Sequence, residues 1–262
     1  MRLALPRLVP TLLALAAVPL ALHAQMDTRG TDHTVFNDLL AAHVDASGMV
    51  DYDAFAASPG FDAYLADLAQ ADLAGMSEPD RLALWINAYN AYTIELIIQH
   101  EERESIRNIN KSLGFLRGKG PWSERMATVA GEVWTLDEIE HEIIRVRFDE
   151  PRIHFAVVCA AIGCPPLRAE AYSGERLDEQ LEDQARRFIV HTPEKNRVDI
   201  AEGELHLSPI FDWYREDFPE GDRGLGRYLA QFFPPGPERT FLEAGDFDIQ
   251  HTDYDWDLNG IR

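Results

Sequence analysis

The sequence predicts an α+β chain, one helix-rich domain carrying a small, mainly antiparallel sheet. Three observations carry that expectation. Apolar residues recur at helical spacing in most of the longer stretches, and Ser77 and Thr135 open two of them with capping signals. Two short strand-like pairs bracket Ala130-Gly131, as in a tight hairpin, and Glu202-Gly203, as in a hairpin. No internal repeat, low-complexity tract or long Ser/Gly linker breaks the pattern.

Taken in order, residues 34–44 form a helix with Val35, Leu39, Leu40 and His43 at helical spacing. Residues 50–52 read as a short turn or strand, and 61–74 as another helix. Ser77-Glu78-Pro79-Asp80 is a strong helix start: serine caps, proline sits in the first turn, and Asp80 reaches back. That helix runs to about Gln99 and is apolar nearly all round, so it is expected at the centre of the core. Residues 114–121 form a glycine-rich loop, and 127–129 pairs with 132–134. Thr135 and Glu138 form a second capping box, before a helix with Leu136, Ile139, Ile143 and Val146 on one stripe. Residues 153–160 alternate as a strand. Residues 175–190 form an amphipathic helix turning Leu177, Leu181, Ala185 and Phe188 inward. Residues 197–200 and 204–207 pair as a hairpin, Ser208-Pro209 starts a helix through Trp213 and Tyr214, and 227–233 is helical. Residues 247–252 form a last strand.

Residues 1–24 read as a secretory signal peptide, with Arg2 and Arg7 in the charged region and an apolar run from Leu8 to Leu22. The run is short and broken by Pro10 and Pro19, so it is a poor membrane span. A single globular domain over 25–262 is expected, in the periplasm or secreted. The net charge is −21, from 45 acidic against 24 basic residues, and losing the leader makes it more negative still. So acidic a chain repels nucleic acid and anionic lipid, which argues against both as partners. The mature chain should span no membrane, and its oligomeric state is open.

Both cysteines lie in one stretch, Cys159 at the end of the expected strand and Cys164 between Gly163 and Pro165-Pro166. In an exported chain they are a disulfide across a five-residue turn, a reactive thiol on a rigid support, or two inert thiols. If 153–159 is a strand, His154 faces away from Cys159 and is a poor base for it. His141 is the better candidate, with Asp137 and Arg145 four residues to either side on a helix face. His141-Glu142-Ile143-Ile144-Arg145 resembles the zinc-protease pattern, but arginine replaces the second histidine, so no metal and no cofactor are expected. Asn87 and Asn90 on the most apolar helix either tie the core together or orient an imidazole and hold an oxyanion. Residues 253–259 space carboxylates like a calcium loop but carry Leu258 where it needs glycine, and read instead as a segment docking Tyr254 and Trp256.

These segments line up as a set. Leu84 to Asn90, Ile139-Glu140-His141 with Ile144-Arg145, Asp149 to Cys159, Cys164 to Arg168, Trp213 to Phe218 and Tyr254 to Asn259 resemble, in order and spacing, the domain of unknown function 547 family. The resemblance covers about 62–262. It implies a site centred on Asn87, Asn90, Glu140, His141 and Cys159. Some members carry serine where Cys164 stands, and some are joined to glutaredoxin-like domains, which points to thiol chemistry.

The expected function is that of an exported, papain-like cysteine hydrolase or transpeptidase acting on a small peptide or amide. Cys159 attacks, His141 takes its proton, Glu140 or Asn87 orients the ring, and Asn90, Arg145, Cys164 and Arg168 meet the substrate. The alternative is a non-catalytic binding or scaffold domain of the bacterial envelope.

Overall fold

The structure, a computed structural model, describes residues 31–110 and 120–261. The leader and most of the glycine-rich loop lie outside the described residues.

Three helices, α1 (Thr34–His43), α2 (Tyr52–Ala56) and α3 (Pro59–Ala69), pack beside the long α4 (Glu78–Gln99). The Ser77 hydroxyl caps α4 as expected, accepting the Asp80 amide at 3.2 Å and donating to its carboxylate at 2.6 Å. Every residue from Leu82 to Ile94 is buried, so α4 is wrapped on all sides. Burying all faces of one helix also buries its two asparagines.

Strands β1 (Ala127–Val129) and β2 (Glu132–Trp134) form the expected antiparallel hairpin. Its turn residues Ala130 and Gly131 both have positive φ, 53° and 80°, the twist that tight hairpins favour. The capping box of Thr135 and Glu138 then opens α5 (Leu136–Glu138), which widens into a π-helical turn (Ile139–Ile144) and closes as α6 (Arg145–Arg147). The π turn shifts the register. Leu136, Ile139 and Ile143 are buried, but Val146, expected on the same stripe, is 72 % exposed and Ile144 is buried instead.

Residues 153–160 are not a strand. Ile153–Ala156 form a helical turn, α7, and Val157 leaves it in extended conformation. The amides of Ile153, His154 and Phe155 bond back to the carbonyls of Glu150, Pro151 and Arg152. Short apolar runs fit either structure, and the local turn wins here. The face assignment that set His154 apart from Cys159 falls with the strand.

Helix α8 (Leu177–Ile189) buries Leu177, Leu181, Ala185 and Phe188 as the pattern requires. Strands β3 (Arg197–Asp199) and β4 (Glu204–Leu207) form the second antiparallel hairpin. Helices α9 (Ile210–Trp213), α10 (Gly221–Ala230) and α11 (Pro237–Ala244) follow, and β5 (Asp248–His251) joins β4 in parallel. The result is the expected helix-rich α+β arrangement. One apolar cluster surrounds α4; a second, rich in phenylalanine (Phe155, Phe188, Phe211, Phe218), lies between α8, α9 and α10. The two meet along residues 153–166.

Candidate functional site

The cysteine loop is held at its root by amide side chains. Asn90 donates to the Ala156 carbonyl and accepts the Val158 amide, both at 2.9 Å. Gln184 donates to the Phe155 and Pro166 carbonyls, at 2.9 and 2.7 Å, and so ties the two ends of the loop together. Lys195 donates to the Cys164 carbonyl at 2.7 Å. On the far side runs the segment after β5, where the Ile162 and Gly163 amides bond to the carbonyls of Asp257 and Asp255. A Cβ on Gly163 would stand 2.8 Å from the Tyr254 ring and 2.9 Å from the Asp255 backbone, so only glycine permits this approach.

Cys159 and Cys164 are joined as a disulfide, which settles the choice between pairing and free thiol for this state. Cys159 is partly exposed and Cys164 buried. Three donors reach the Cys164 sulfur: the amides of Cys159 and Ala161, at 3.2 and 3.4 Å, and the Tyr254 hydroxyl, which stands 3.2 Å from each of the two sulfurs. Ala160, between the two amides, has φ of 60°, a conformation that costs a residue with a Cβ and persists only where the surroundings enforce it. Backbone strain beside a sulfur is an arrangement seen at functional sites.

The disulfide forms one wall of a cavity of about 210 Å³. Glu140, His141 and His154 line it, together with Tyr89, Trp122, Trp213, Tyr214, Tyr254 and Trp256. The structure therefore brings Cys159, Cys164, His141 and Glu140 together from segments far apart in sequence. It also adds His154, which the strand reading had set aside.

The two histidines differ. His154 is 2 % exposed and stacks on Tyr214, with ring centroids 4.1 Å apart. Its Nε2–H donates to the Asp217 carboxylate at 2.7 Å, so Nδ1 carries the lone pair, and Nδ1 has no partner. Burial pushes the imidazole pKa down, and the hydrogen bond to Asp217 restores only part of it, so the ring is neutral at pH 7. Burial disfavours ionised Asp217, but hydrogen bonds from Arg145 and His154 outweigh it and hold the carboxyl below its ordinary pKa. His141 is exposed at the cavity rim, and its Nδ1 accepts from the Arg145 guanidinium at 2.9 Å. That contact leaves the proton on Nε2 in the neutral ring, the wrong tautomer for a base. Asp137, expected to orient His141, accepts instead from the Ser123 hydroxyl at 2.7 Å.

The remaining expected residues divide. Glu140 is buried on the cavity wall, within hydrogen-bonding reach of the Tyr89 and Tyr214 hydroxyls; burial, and then this carboxylate, raise both phenol pKa values. Arg145 lies behind His154, committed to Asp217 and Glu216. Asn87 lies away from the cavity and pairs with the Tyr172 backbone, donating at 2.8 Å and accepting at 2.9 Å. Arg168 is also off the cavity, bonded to Glu170 and Asp183. Asp217 escaped sequence reasoning, although it stands in the Trp213–Phe218 segment; only folding brings it to His154.

Residues 73–189 match the family described as Protein of unknown function, DUF547. The chain resembles that family. The match takes in α4, the π turn and both cysteines, and ends before Trp213, Asp217 and Tyr254. No curated protein matches the chain, and no solved structure does.

Proposed function

We propose that the protein is an exported thiol hydrolase or transferase of a peptide or amide bond, with Cys159 as nucleophile, His154 as base and Asp217 orienting the base. The observation that carries this reading is the unpartnered Nδ1 of a buried, aspartate-held histidine lining the same cavity as the Cys159 sulfur. Sequence reasoning gave the base to His141; the tautomer its arginine neighbour imposes moves the role to His154.

The chemistry begins with reduction. An external dithiol transfers two electrons and two protons to the disulfide, leaving Cys159 and Cys164 as thiols and itself as a disulfide. The Cys159 sulfur then attacks the amide carbonyl while its proton passes to His154 Nδ1. The Cys159 amide and the Tyr254 hydroxyl, both beside the sulfurs, are the donors offered to the developing oxyanion. The imidazolium returns the proton to the leaving amine. Water or an acceptor amine, deprotonated by the same nitrogen, releases the acyl group and restores the thiol.

The test compares reduced and oxidised full-length protein on a fluorogenic peptide amide, with iodoacetamide labelling of Cys159 alongside. Turnover in the reduced form alone, and alkylation faster than that of free cysteine near pH 7, are expected. A reduced protein that turns over nothing and alkylates at the ordinary rate overturns the reading and leaves the envelope scaffold role.

A second reading rests on the three donors at the buried Cys164 sulfur. They would stabilise a leaving thiolate if a substrate thiolate attacked Cys159, making the pair an oxidant of protein thiols. Cys164→Ser separates the two: exchange is lost, whereas hydrolysis persists without prior reduction.

A further inference from the structure

We infer that the cavity selects amides carrying a primary ammonium group, seated against Glu140 between aromatic rings; this deepens the hydrolase reading and shares its site. Three features point there. Glu140 is 6 % exposed, and among the described residues no lysine or arginine forms an ion pair with it. Its neighbours in the wall are the Tyr89 and Tyr214 hydroxyls and the His154 ring, so no side-chain cation is paired with it there. The adjacent cation, Arg145, is spent on Asp217 and Glu216.

The rings that line the same cavity suit a cation. Tyr254 and Trp256 lie 4.6 Å apart by centroid, Trp213 packs on both, and Trp122 faces Trp256 at 6.1 Å. Such rings already hold cations here: the guanidinium of Arg107 stands 5.0 Å from the Trp256 centroid, and that of Arg145 stands 5.2 Å from Tyr214. Two buried polar atoms of wall residues, His154 Nδ1 and Trp122 Nε1, have no partner, as expected of a wall built to meet a polar ligand. Glu140 and the disulfide line the same cavity, so a ligand anchored at Glu140 shares it with the sulfur. The net charge of −21 draws the same ligands in from solution.

The test uses two probes of nearly equal shape, Nα-acetyl-lysinamide and Nα-acetyl-norleucinamide, titrated against the full chain by tryptophan fluorescence. Lysinamide is expected to bind about tenfold tighter, a preference Glu140→Gln removes. The wild-type comparison needs no variant, so a Glu140→Gln that fails to fold leaves the inference testable. Equal binding, tighter binding of norleucinamide, or no binding of either overturns it. The matching fluorogenic amides are then assayed on reduced protein. Preferential lysinamide binding with no hydrolysis of either amide sinks the hydrolase reading and keeps this one; hydrolysis of both at equal rates does the reverse.

Discussion

Asn90 on α4 and His154 beside the cavity are both polar groups in apolar surroundings, and they end differently. Asn90 uses its amide oxygen and nitrogen on one stretch of backbone, from Ala156 to Val158. His154 uses one nitrogen on Asp217 and leaves the other empty. A buried polar side chain that satisfies itself on the chain is holding structure; one that stops halfway, in a cavity, is available for something else. Not every orphan means chemistry, since Trp134 Nε1 and Tyr228 Oη are also unpartnered away from the cavity. What distinguishes His154 is the combination of vacancy, cavity and an orienting carboxylate.

The comparison breaks first at the sulfur. Cys159→Ala is expected to abolish turnover of a peptide amide by reduced protein, a loss of about 10⁴-fold or more in kcat, while leaving lysinamide binding detectable. Retained turnover removes the cavity from consideration as a thiol site. Next come the histidines. His154→Gln should lower kcat by about 10²- to 10⁴-fold, and His141→Gln by less than about tenfold. The reverse order in steady-state kinetics would restore His141 as the base.

The asparagines sharpen the structural side. Asn90→Ala strands the Ala156 carbonyl and the Val158 amide, and Asn87→Ala strands the Tyr172 amide and carbonyl. Each should cost about 2–4 kcal/mol in urea unfolding. Only Asn90→Ala should also slow turnover, because its backbone leads into Cys159. Equal kinetic effects would show that the distinction drawn between the two asparagines is false.

The smallest effect is in pH. With its pKa held below the ordinary imidazole value of 6.5, His154 keeps a free Nδ1 as pH falls through 6.5, so the acid limb of kcat/KM lies lower. The stability effect has the matching sign. Below 6.5 the unfolded chain takes up the proton before the folded one does, so this histidine makes stability decline as pH falls toward its lowered pKa. His33, lowered to about 4 by burial, acts in the same direction. An acid limb at or above 6.5 would exclude His154 as the group being read.

The elements legible in the sequence were those with a local physical signature. The serine cap, the Thr135 capping box and both hairpin turns are chemical statements about adjacent residues, and each is found where it was expected. Residues 153–160 misled because an apolar run of that length satisfies strand and helical turn alike, and the deciding partners, Asn90 and Gln184, lie far away in the chain. Helix α11 and the short α2 went unread. At the site, Cys159 was read from the rigid loop around it and Glu140 through the resemblance, whereas Asp217 was not found. A carboxylate that orients a histidine 63 positions away leaves no spacing to detect.

Part of the aromatic wall of the cavity, Tyr254 and Trp256, comes from the C-terminal segment, long after α4 (Glu78–Gln99) in the chain. The same segment closes the core around α4, where Leu258 is buried and Asn259 accepts from the Tyr52 hydroxyl. A chain cut before Asp253 would therefore lose core packing, the backbone support of the cysteine loop and the hydroxyl beside the Cys164 sulfur in one step.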